Sequence, residues 1–296
     1  DDERRIIEDA AVAVTNGRIA ALGGRERLAA AFRPAKTIAL GPAVLMPGLV
    51  NAHTHVAMSF FRGLADDLPL MEWLNKHIFP REQRLTAEIV ELGSFLGCAE
   101  MIRTGTTAFA DMYLLEDAVM SAVDASGLRC QAGEVLFSFP SPAYGTTEEG
   151  LALVEAQAAR WQGHERIRVA VMPHAVYTTT PQLMEDCRDL ARKRGLMLHI
   201  HLAETPSETE TCLSRHGKRP LAYCRDLDLL GPDVSIAHAV DLTDEELDVL
   251  AASGAHVAHN PRSNMKLASG VAPVPGMLAR GMLPGLGTDG AASNNS

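Results

Sequence analysis

From Val44 onward, short apolar runs alternate with amphipathic stretches of helical length. The runs predict strands near 44–50, 106–111, 129–136, 167–172, 196–202, 234–239, 255–259 and 283–288. Between them, apolar positions spaced for one helical face predict helices near 68–79, 86–104, 115–126, 148–162, 181–194, 207–216, 244–253 and 273–280. Eight strands separated by helices argue for an α/β fold in which a parallel sheet closes as a (β/α)8 barrel over residues 46–296; an open doubly wound sheet is the alternative. Residues 1–45 follow a different rhythm. Ala11–Val14, Arg18–Leu22 and Thr37–Leu40 are short alternating segments, and Asn16-Gly17 suits a tight hairpin turn, so this stretch is expected to be the N-terminal part of a small β-sandwich domain. Only seven residues follow Asp289, too few for the helix a barrel needs after its eighth strand, and the chain opens without Met. The expectation is a chain truncated at both ends, whose native polypeptide continues past Ser296.

Composition narrows the partners. At 296 residues and 47% hydrophobic the chain can bury a full core, and it holds no apolar run of the roughly 18 residues that a membrane span needs. A formal charge of -10 without a dense basic cluster disfavours nucleic acid and leaves a small-molecule substrate as the expected partner. Five scattered cysteines without a Cys-x-x-Cys pair fit reduced thiols, and the absence of a signal-like N-terminus here reads as cytoplasmic. A homo-oligomer is expected.

The chemistry gathers at the predicted strand ends. His53 and His55 follow the first strand, His174 the fourth, His201 and Glu204 the fifth, His238 the sixth, His259 the seventh and Asp289 the eighth. In such barrels catalysis sits at the C-terminal ends of the strands, so six of the eleven histidines fall where a site belongs. Residues i and i+2 of a strand face the same way, which lets His53 and His55 grip one cation. His201 adds a third imidazole, while His199, two residues deeper, reads as a hydrogen-bonded residue behind the ligands. Asp289 supplies a carboxylate. Three imidazoles and one carboxylate leave a divalent ion net positive and able to carry water, lowering that water's pKa toward about 7.

Pro47-Gly48-Leu49-Val50-Asn51-Ala52-His53-Thr54-His55, His201-Leu202-Ala203-Glu204-Thr205, His238, His259-Asn260-Pro261 with Ser263-Asn264, and Gly287-Thr288-Asp289-Gly290-Ala291-Ala292-Ser293-Asn294 together resemble the amidohydrolase superfamily. Within it they are similar to the methylthioadenosine/S-adenosylhomocysteine deaminases, and Leu64-Ala65-Asp66-Asp67-Leu68 through Trp73-Leu74 adds to the likeness. The resemblance implies one divalent metal, zinc or else iron, on His53, His55, His201 and Asp289. Binuclear relatives carry a bridging lysine after strand four, where this chain has Met172-Pro173-His174. The implied activity is hydrolytic deamination of an adenosine-type nucleoside to the inosine analogue and ammonia. Glu204 would protonate the ring nitrogen, and His238 and Asp289 would handle the water's proton. Glu82, His174, Trp73 and Ser293 are the implied substrate contacts, Glu82 toward the ribose hydroxyls. Relatives that bind the amino-acid tail of S-adenosylhomocysteine carry arginines after strand three, whereas this chain has none between Arg129 and Arg160 and places Glu134 there. A guanine-type or s-triazine aminohydrolase, or a barrel that binds without catalysing, are the other readings.

Overall fold

The computed structural model describes residues 6–65 and 68–294; Asp66 and Asp67 of the Leu64–Leu68 motif lie outside them. The chain divides into two compact units, Asp1–Pro47 and Gly48–Ser296. In the first, β1 (Ala10–Thr15) pairs antiparallel with β2 (Arg18–Gly24) and a helix spans Arg25–Ala31. Asn16 and Gly17 both sit at positive φ, 51° and 71°, the backbone twist that a two-residue hairpin turn demands. The strand expected at Thr37–Leu40 does not form. Among the described residues that segment pairs with neither β1 nor β2, and Ile38 and Leu40 remain exposed.

The second unit is a parallel barrel of eight strands in chain order: β3 (Leu49–Thr54), β4 (Thr106–Tyr113), β5 (Arg129–Leu136), β6 (Ile167–Pro173), β7 (Met197–Leu202), β8 (Val234–His238), β9 (His256–His259) and β10 (Gly285–Leu286). Its long helices share one sequence grammar. Thr86, Thr180, Thr205 and Thr243 each accept the N–H three residues on, and Gly105, Gly195, Gly217 and Gly254 end the same helices in the left-handed conformation. Core side chains such as Ile167, Met172, Ile200 and Leu202 are almost wholly buried, as expected of strands covered on both faces.

Two boundaries differ from the sequence expectation in ways that matter for the site. The first barrel strand is 49–54 and not 44–50, because its buried residues are polar: Asn51, His53 and Thr54 are buried, whereas Leu49 and Val50 are exposed. His53 therefore lies within β3, and His55 one residue beyond it. The eighth strand shrinks to two residues, and side chains complete the seam. Asn51 exchanges hydrogen bonds with the Thr288 hydroxyl (2.7 Å) and N–H (2.9 Å), and the Asp289 N–H donates to the His53 carbonyl at 2.9 Å. Gly287 permits this approach, since a Cβ there would meet the Asn260 side chain at 2.1 Å and the His53 backbone at 2.9 Å.

The helix expected at 68–79 is also broken. Leu70–Trp73 and Phe79–Glu82 are α-helical, joined by a wider π-helical turn at Leu74–Ile78. Pro80 has no N–H to give and would crowd the carbonyl four residues back in a regular helix, so the chain widens there. Among the described residues no helix is long and apolar enough to cross a membrane. All five cysteines are buried free thiols.

Candidate active site

The strand ends bring four imidazoles and one carboxylate together. His53 lies 4.9 Å from His55, 4.8 Å from His201 and 5.6 Å from His238, ring centre to ring centre. Asp289 Oδ1 is 3.4 Å from His53 Nε2 and 3.1 Å from His55 Nε2. Each ring is oriented from behind through its Nδ1. The His55 and His201 nitrogens meet the carbonyls of Met112 and His174, the latter at 2.8 Å; a carbonyl only accepts, so both Nδ1 atoms carry the proton. His53 Nδ1 pairs with His199 Nε2 at 2.8 Å and His238 Nδ1 with Asn264 Oδ1 at 2.8 Å. His199 is thus hydrogen-bonded behind His53, as its depth in the strand suggested.

These residues fit a metal. The Nε2 of fully buried His53 has no hydrogen-bond partner, an arrangement costly unless a cation takes the lone pair. One candidate nitrogen or oxygen from each of His53, His55 and Asp289 lies within 4.8 Å of the others, and the same holds for His53, His201 and His238. The donor set of imidazoles and a carboxylate suits one divalent ion, zinc foremost. Burial lowers His199 and His201 well below the usual histidine range and His53 to about 4, keeping all three rings neutral, the form in which His53 and His201 could bind a metal. His55 departs from this: burial disfavours its charge, but Asp289 beside it and Asp111 outweigh burial and raise it to about 9. Burial alone would raise Asp289, yet the His53 and His55 nitrogens hold it well below the carboxylate range. Its second oxygen accepts from the Ser263 hydroxyl at 2.5 Å.

Backbone strain concentrates on the same rim. Ala203, His238, Ala239 and Asp289 all have positive φ, 53°, 75°, 48° and 62°, at a cost of about 1 to 3 kcal/mol each. The strain aims Glu204 and His238 at one another, with His238 Nε2 3.9 Å from both Glu204 Oε1 and Asp289 Oδ2. Glu208 holds the Glu204 loop by accepting the Ala203 and Glu204 N–H groups at 3.1 and 2.7 Å. Burial raises the Glu204 carboxyl, with His238 opposing and Asp289 adding to the effect.

Above this floor a cleft of about 550 Å³ is lined by His55, Trp73, Glu82, His174, His201, Glu204, His238 and Asp289, among others. Fully buried His53 lies outside that lining, and so does Ser293, whose hydroxyl is bonded to the Gly290 carbonyl at 3.1 Å. Glu134 is no part of the cleft either; its carboxylate accepts the N–H groups of Leu115 and Glu116 at 2.9 Å each. Burial pushes Glu82 up to about 7 against the Tyr113 hydroxyl and the His55 charge, which pull it down. Roles for Asn51, Ser263, Asn264, Glu208 and Tyr113 were not legible in the sequence. Asn51, Ser263 and Asn264 stand within the quoted motifs, but Glu208 and Tyr113 carry no local signal.

The amidohydrolase family model matches residues 44–296. The chain belongs to the amidohydrolase family. Within it the chain falls among the methylthioadenosine/S-adenosylhomocysteine deaminases. It is 60% identical over all of its length to the 5-methylthioadenosine/S-adenosylhomocysteine deaminase of Nitratidesulfovibrio vulgaris (strain DP4), of which it spans 67%. A 5'-deoxyadenosine deaminase of Methanothermobacter thermautotrophicus is 47% identical over 86% of this chain and 59% of its own length. A zinc-bound adenosine deaminase of Xanthomonas campestris superposes with a TM-score of 0.97 at 38% identity, over 99% of this amidohydrolase chain and 67% of that one.

Proposed function

We propose that this amidohydrolase removes the ring amino group of an adenosine-type nucleoside, methylthioadenosine or S-adenosylhomocysteine, giving the inosine analogue and ammonia. His53, His55, His201 and Asp289 hold one divalent metal, and Glu204, His238 and Asp289 carry the proton transfers. The observation that carries this reading is the buried Glu204–His238–Asp289 arrangement facing the histidine cluster, with Glu82 on the wall of the same cleft.

A divalent ion held by His53, His55, His201 and Asp289 would supply a water of lowered pKa as the nucleophile near neutral pH. Glu204, whose burial favours the protonated form, delivers a proton to the ring nitrogen beside the carbon under attack. Asn264 Oδ1 holds the proton on His238 Nδ1, so Nε2 faces the cleft with its lone pair and can accept the water's proton. Asp289 shares that proton and returns it to the departing amine. Glu82 accepts both ribose hydroxyls, and two such donors favour its ionised form against burial. His174, its Nδ1 2.8 Å from the Thr178 hydroxyl, faces the sugar, and Trp73 walls the base. Ser293 acts by shaping the Asp289 loop.

Ammonia release across adenosine, methylthioadenosine, guanine and an s-triazine tests this reading: the adenosines are expected to react, and activity on guanine or triazine alone would overturn it. Losing a charge-assisted hydrogen bond is worth roughly 1.5 to 3 kcal/mol, so Glu82→Ala is expected to cut kcat/KM for nucleosides about tenfold to a hundredfold. An unchanged value would remove Glu82 from the sugar site. The small β domain begun by residues 1–45 and a homo-oligomeric state complete the proposal, the latter checked by sedimentation.

A further inference from the structure

A row of rings leads out of the cluster. His201 lies 4.8 Å from His174, His174 lies 4.8 Å from Phe137, and Phe137 stacks on Phe139 at 4.7 Å with their planes 16° apart. Phe79 meets both phenylalanines edge-on at 6.1 and 5.9 Å. The row begins in the buried site and ends at Phe139, which is 37% exposed. It is also rigid. The Phe137 N–H donates to the Tyr144 hydroxyl at 2.7 Å, the Ser138 N–H to the Thr178 carbonyl at 2.9 Å, and the His174 N–H to the Leu136 carbonyl at 3.0 Å.

Resting on the nucleoside reading above, we infer that Phe137 and Phe79 on the cleft wall, with Phe139 stacked behind Phe137, form an apolar subsite that selects the group on the nucleoside's 5' carbon. With the base at the cluster and the sugar at Glu82 and His174, that carbon is the end still to be housed. The wall continuing outward from His174 is aromatic. Rings of this kind favour a methyl thioether or a plain alkyl end, through apolar burial and sulfur–aromatic contact. No lysine or arginine lines the cleft among the described residues, so the carboxylate of a zwitterionic amino-acid tail meets no ammonium or guanidinium there. Arg215 is a cation next to the lining, its guanidinium donating to the Tyr177 carbonyl at 3.0 Å.

Steady-state kinetics of the full-length, metal-loaded enzyme on adenosine, methylthioadenosine and S-adenosylhomocysteine provide the test. Methylthioadenosine is expected to exceed S-adenosylhomocysteine at least tenfold in kcat/KM. Phe139→Ala is expected to lower the ratio of methylthioadenosine to adenosine by about threefold to tenfold, chiefly through KM, and to weaken equilibrium binding of the product 5'-methylthioinosine similarly. Phe137→Leu probes the buried ring, while partly exposed Phe139 supplies a variant that keeps the core intact. Failure on every adenosine would refute the nucleoside reading itself. Turnover of adenosine with S-adenosylhomocysteine preferred, or with the ratio unmoved in both variants, would overturn only the apolar subsite. So would selective loss of S-adenosylhomocysteine turnover in Arg215→Ala.

Discussion

Glu204→Gln is expected to lower kcat by about a hundredfold or more while leaving metal content and folding unchanged. The substitution keeps the size of the side chain and removes its acidic proton, and the Glu204 backbone remains fixed through Glu208. A hundredfold corresponds to about 2.7 kcal/mol of transition-state stabilisation, within reach of one positioned proton donor. Substrate binding should change less than kcat, since the transfer belongs to the chemical step. A near wild-type kcat would show that another group protonates the ring.

Removing a ligand acts earlier. Asp289→Asn and His201→Ala are each expected to lower metal occupancy from about one ion per chain and to lower turnover in parallel. Asp289→Asn is the more informative, because this one carboxylate also accepts from Ser263 and lies beside His238. Its loss should leave residual activity low even when excess zinc is supplied, whereas His201→Ala should recover in part. Elemental analysis of the intact protein decides the stoichiometry. Two tightly bound ions, or full activity after complete metal removal, would contradict a single-metal site.

The boundaries that the sequence misplaced have identifiable local causes. Hydrophobic runs marked β5, β6 and β7 well, with bounds that match expectation to within a residue. They misled at β3, where function replaced the apolar side chains by Asn51, His53 and Thr54, and at β10, where two residues pair and Asn51 completes the seam. The helical pattern at 68–79 likewise concealed the wide turn ahead of Pro80 that separates Trp73 from Glu82.

Chain order and residue type alone determined the barrel and the clustering of histidines at strand ends, and singled out His53, His55, His201 and Asp289 as the proposed metal donors, because strand periodicity fixes which residues share an end and a face. Only the tertiary structure decided which atoms meet. It set His238 as close to the cluster as the expected ligands, withdrew Ser293 and Glu134 from the cleft, and put Phe137, stacked on Phe139, in the cleft wall. Such contacts join residues far apart in the chain, including Asn51 with Thr288 and His53 with Asp289 across the seam. Their geometry follows from barrel closure and left-handed strand ends, which no local pattern encodes.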